Sequence, residues 1–84
     1  MRHELKLPDL GLAEREIVLS LWLVRAGNEV SLGDRLVEVL ADGVTVDLPA
    51  PASGVIVEML VPEDEPIRVG QTLGVIESPD EAAD

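Results

Sequence analysis

Few side chains in this sequence can act as a nucleophile, a base or a metal ligand, so each can be weighed on its own. Cysteine is absent, His3 is the only histidine, and Lys6 is the only lysine in 84 residues. Without a thiol there is no disulfide, no thiolate chemistry and no structural zinc site built on sulfur. With His3 as the only imidazole, no serine, histidine and acid constellation can be assembled. Glu14 and Glu16 offer no fixed pair of carboxylates for acid and base work. Glu63, Asp64 and Glu65 are consecutive, so they lack the alternating ligands and the glycine of a calcium loop and read as a solvated turn. Catalytic and metal-binding residues are therefore expected to be none. The sharpest local signal is Asp42-Gly43, because a two-residue type I′ hairpin turn needs positive φ at both central positions and this pair tolerates it.

Composition narrows the function classes further. The chain has 6 basic and 17 acidic residues, a formal charge of -11, and Trp22 as its only aromatic. Such a surface repels phosphate backbones and anionic headgroups, so neither nucleic acid nor membrane is an expected partner. One aromatic cannot build a stacking platform or a cation cage. Trp22 reads as a packing residue, since a lone large side chain covers much of a small sheet. No apolar run reaches the ~18 residues needed to cross a bilayer, and no signal-like segment follows Met1. The expectation is a monomeric, cytoplasmic domain whose partners are basic patches on proteins.

The elements that position these residues are read from apolar stretches recurring between Gly, Pro and Asp at intervals of about ten residues, which predict an all-β sandwich or barrel. Ile17 to Val24 is too continuously apolar for a two-faced strand unless a bulge or a sheet change interrupts it. Arg35–Leu40 and Val44–Leu48 flank the Asp42-Gly43 turn, with Val44, Val46 and Leu48 on one side and Thr45 and Asp47 on the other. Gly54–Val61 and Thr72–Glu77 read as further strands. His3 lies near an end expected to fray. Residues 1–77 form the domain, and Ser78–Asp84 reads as an acidic tail or the start of a linker.

The sequence also repeats. A shift of 37 residues lays Val18 on Val55, Leu23 on Leu60, Val24 on Val61, Gly33 on Gly70 and Leu36 on Leu73. Leu19 likewise meets Ile56, Val30 meets Ile67, and Val39 meets Ile76. Two related units are implied, each needing the other to hide its apolar face. Gly33 and Gly70, at one place in the repeat, fit a backbone position of positive φ or close approach.

The segment from Leu36 to Pro51, LVEVLADGVTVDLPAP, resembles the lipoyl domains of 2-oxo acid dehydrogenase acyltransferases. The resemblance extends to Leu7–Gly11, Trp22–Gly27, Gly33-Asp34, Ser53–Val55 and Val69–Leu73, and covers about Leu5 to Glu77. It implies a flattened sandwich, the barrel-sandwich hybrid of two four-stranded antiparallel sheets with quasi two-fold symmetry. The related biotin carriers share that fold, although nothing here resembles their Met-Lys-Met turn. It also implies a non-catalytic carrier module whose partners are the dehydrogenase subunits and a lipoate ligase. In such domains the ligase attaches lipoic acid to one lysine in the hairpin turn. The resemblance places that lysine at position 43, where this chain has Gly43, flanked by Asp42 and Val44. No cofactor is then expected as written, and lipoate only with a lysine restored there. Lys6, in the first strand, is expected far from the turn.

A second departure follows Gly11, where Leu12-Ala13 replaces the Glu-Gly usual in the closest lipoyl domains. The resemblance assigns partner recognition to this loop, which here comprises Leu10, Gly11, Leu12 and Ala13. Two other readings stand beside the lysine-less carrier: a stand-alone interaction or scaffold module with the lipoyl fold, and an engineered replacement of the lysine.

Overall fold

The structure is a computed structural model, and it describes residues 1–11 and 16–79. Among these described residues eight strands follow one another: β1 (Arg2–Lys6), β2 (Ile17–Trp22), β3 (Glu29–Val30), β4 (Arg35–Ala41), β5 (Val44–Pro49), β6 (Gly54–Met59), β7 (Glu65–Ile67) and β8 (Thr72–Glu77). They form two four-stranded sheets, ordered β1-β8-β6-β3 and β5-β4-β2-β7, in which every neighbouring pair is antiparallel. The expected fold class holds.

The repeat in the sequence is a repeat in the register. Leu19 pairs with Val39, a bulge follows, and Trp22 pairs with Val37. One repeat later Ile56 pairs with Ile76, a bulge follows, and Met59 pairs with Gly74. The bulge in β2 resolves the over-long apolar stretch. It resets the alternation so that Ile17, Leu19 and Trp22 point inward while Leu21 points out. Hydrogen bonds match as well: the Leu23 N–H donates to the Leu36 carbonyl at 2.9 Å and the Leu60 N–H to the Leu73 carbonyl at 2.8 Å. Gly33 and Gly70 have φ of 91° and 87°, as their shared place in the repeat requires.

The short strands β3 and β7 do not stand out in the sequence, because two or three residues carry no period. Their pairing gives them their importance. β3 belongs to the first unit but pairs with β6, and β7 belongs to the second but pairs with β2. The turns leading into them repeat the exchange, with the Gly27 N–H donating to the Ile56 carbonyl and the Asp64 N–H to the Leu19 carbonyl, both at 2.7 Å. Glu63 and Asp64 form an exposed turn, as expected, which leads into β7 with Asp64 at a φ of 70°.

The core lies between the sheets, with Leu36 and Leu73 both at 0% exposure and Leu7, Leu19, Val37, Val39 and Ile76 beside them. Trp22 is buried, and its Nε1–H donates to the Val61 carbonyl at 2.8 Å, which satisfies the indole and spans the two units. Gly74 makes room for that ring. A Cβ at residue 74 would lie 2.9 Å from the Glu58 carbonyl oxygen and 3.1 Å from the indole.

His3 is not in a frayed end. It pairs with Ile76 in β1–β8, and its Nε2 is 2.9 Å from Ser78 Oγ. The Met1 ammonium donates to the Ser78 carbonyl at 3.0 Å, and the Ser78 N–H donates back to the Met1 carbonyl at 2.8 Å. The inner ends of the two sheets meet at the waist, where Leu5 and Lys6 of one line a groove with Leu48 and Pro49 of the other. The β4–β5 turn and the Met1–Ser78 pair therefore point away from each other.

Leu36→Ala and Leu73→Ala should each cost about 2–5 kcal/mol, because each leaves a cavity at a fully enclosed site. Urea denaturation measures this, and unequal losses would show that the two units do not share the core evenly. Gly74→Ala should cost about 1–3 kcal/mol through overpacking and should shift Trp22 emission; an unperturbed spectrum would mean that the ring is not held there.

Candidate functional site

Ala41 and Val44 are the last ladder pair of β4–β5, and Asp42 and Gly43 alone bridge them. Their φ values, 53° and 80°, are both in the left-handed region that a type I′ turn demands. Such a turn matches the right-handed twist of the flanking strands, so the tip is held firmly by its own ladder. Both residues are exposed, and a Cβ at position 43 would meet nothing within 4 Å. Gly43 is thus a solvent-facing point of the turn with open space beside it.

The flanks of the apex are more apolar than strand alternation suggests. Val44 is 58% exposed although Val46 is half-buried and Leu48 is buried on the same side. β5 is an edge strand and runs past the end of the core, so the burial of its inward side fades toward the tip. Leu40 is also exposed, and it pairs with Thr45.

Lys6 is elsewhere. It shares the waist groove with Pro49, at the opposite end of β5 from the turn. Five residue steps along that strand amount to roughly 16 Å. Its Nζ lies 3.8 Å from Glu4 Oε1 on an exposed face. Of the loop expected to take part in recognition, Leu10 packs against the core and Gly11 donates its N–H to Asp9 Oδ1 at 2.9 Å, an Asx-type turn. Leu12 and Ala13 lie outside the described residues. The chain re-enters the sheet at Ile17, which pairs with Ala41 next to the turn. Ile17 therefore lies at the same end of the molecule as Asp42 and Gly43.

An exposed two-residue turn thus caps one end of a small, pseudo-symmetric β sandwich. The model of the biotin/lipoyl family, described as biotin-requiring enzyme, matches residues 3–76. The acetyltransferase component of the pyruvate dehydrogenase complex of Corynebacterium glutamicum is 33% identical over 96% of this chain and 12% of its own length. The corresponding component of Staphylococcus epidermidis is 36% identical over 95% of this chain and 18% of its own length. The succinyltransferase component of the 2-oxoglutarate dehydrogenase complex of Bartonella vinsonii subsp. berkhoffii is 32% identical over 93% and 19%. The chain thus spans less than a fifth of these curated relatives.

Among solved structures, the lipoyl domain of the 2-oxoglutarate dehydrogenase complex of Azotobacter vinelandii superposes with a TM-score of 0.70 at 25% identity, covering 90% of this chain and 98% of that one. A single-chain, multi-domain long-chain acyl-CoA carboxylase superposes with a TM-score of 0.75 at 21% identity, covering 98% of this chain and 8% of that one, which is a likeness of fold. The chain belongs to the biotin/lipoyl family and is a lipoyl domain like those of dihydrolipoyl acyltransferase components.

Because residue 43 has open space and a left-handed φ, Gly43→Ala should cost about 1 kcal/mol from backbone strain alone. A denaturation midpoint lowered by much more would mean that the turn contacts something across the apex.

Proposed function

We propose that this domain is a carrier module of a 2-oxo acid dehydrogenase acyltransferase whose attachment position is occupied by Gly43, so that it cannot be lipoylated as it stands. The observation that carries the reading is that Asp42 and Gly43 are the whole of the β4–β5 turn. That apex is where a lipoyl domain presents its lysine. An amide bond to lipoate needs an amine, and glycine has no side chain. Lys6 does not substitute, because it lies at the waist beside Pro49. The arginines stay protonated and are not acylated under ordinary conditions.

Partners on this reading are the dehydrogenase subunits and, with a lysine restored, a lipoate ligase. We assign partner recognition to Leu10, Gly11, Leu12 and Ala13, together with Asp42 and Val44. The charge of -11 favours basic surfaces on them. The absence of an amine at the turn also favours a second reading, in which the domain serves as an interaction or scaffold module that carries nothing.

Coexpression with a lipoate ligase and lipoate, followed by intact mass measurement, separates the outcomes. The natural chain should remain unmodified, and Gly43→Lys, which enters open space, should gain one lipoyl group. A lipoyl gain on the natural chain would refute the proposal. A folded Gly43→Lys variant that stays unmodified would transfer the block to Leu40, Val44 or the neighbouring loop.

A further inference from the structure

Where β2 and β6 run out, the pseudo-two-fold relates Trp22 to Met59 and Val24 to Val61, and all four line one open groove of about 740 Å³. Leu21 and Leu23 form part of its wall and are each 44% exposed. The groove through Leu5 and Leu48 has no comparable exposed leucines, because both of those are buried. Single exposed leucines are ordinary on a protein surface; here two of them flank one concave strip that has an indole and a thioether in its lining.

The polar groups around this patch define what fits it. Glu63 lines the groove, and its Oε2 accepts the Trp22 backbone N–H at 2.9 Å, which fixes a carboxylate on that strand's backbone. Glu38 lies directly opposite Leu21 in the β2–β4 ladder and so on the same face. Among the described residues, neither carboxylate is paired with a cation. Arg25 is the one cationic lining residue. A second copy of this chain would bring the same carboxylates and another charge of -11 against them.

The geometry points to a docking groove for a basic amphipathic segment of another protein, one that inserts apolar side chains between Leu21, Leu23 and Met59 and sets lysine or arginine against Glu38 and Glu63. This surface lies at the waist, away from the Asp42-Gly43 apex, so it does not depend on whether the domain carries a prosthetic group.

Trp22 is the only aromatic residue and lines the groove, so its emission reports occupancy directly. The probe is a synthetic amphipathic peptide with leucines along one face and lysines along the other. A peptide of the same composition in scrambled order serves as control, and sedimentation of the free domain is measured in parallel. The amphipathic peptide should shift the emission saturably and bind about tenfold more tightly than the scrambled one. Leu21→Ser and Leu23→Ser should each weaken it about tenfold, and Glu63→Gln should weaken it less. Leu60→Ser, at a residue of similar exposure outside the groove, should leave it unchanged. Equal binding of both peptides, or groove variants that bind as the natural chain does, would overturn the proposal. So would a dimer of the free domain that dissociates on Leu23→Ser, which would assign the groove to a second copy.

Discussion

Each half of the chain gives its short strand to the other half's sheet, β3 to β6 and β7 to β2, and neither sheet is complete without that gift. In a domain of 84 residues the buried fraction is small, so a half-chain with one uncovered apolar face would not stay folded alone. The exchange brings the Leu19 side and the Ile56 side of the core together, fixed at both turns by the Gly27 and Asp64 amides. Leu36 and Leu73 are enclosed because the two sheets are tied at these points. The bulges in β2 and β6 belong to the same constraint. They turn Trp22 and Met59 toward the waist, where the two units meet.

That rigidity is exported to the apex. The β4–β5 ladder is paired up to Ala41 and Val44, so the two residues beyond it have almost no freedom and both take left-handed φ. Glycine is the residue most at ease in that conformation. On the proposed reading, residue 43 is thus a place where conformational ease and chemical capacity pull in opposite directions. A lysine there carries backbone strain in exchange for an amine, whereas the glycine removes both.

Much of this was legible in the sequence, for identifiable reasons. The repeat showed itself because paired residues such as Leu36 and Leu73 occupy equivalent enclosed sites and share one set of packing demands. The turn showed itself because few dipeptides tolerate two positive φ values in succession. The bulge in β2 was foreshadowed by an apolar run too long for simple alternation. The short strands were not legible, because their pairing is set by partners distant in the chain and not by their own pattern. The exposure of Val44 was also hidden, since alternation says which way a side chain points but not where the core ends. His3 was misplaced for a related reason: nearness to a terminus says nothing about the ladder to Ile76 or the contact with Ser78.

The Met1–Ser78 pair occupies, in the second unit, the place that the Ala41–Val44 pair occupies in the first. At one place a turn joins the strands, and at the other the chain enters through Met1 and continues beyond Ser78. Topologically, joining Ser78 to Met1 would close the two units into a ring. A short link from Ser78 back to Met1, with a new opening between Asp42 and Gly43, would exchange the two units in gene order while leaving each ladder rung with its present partner.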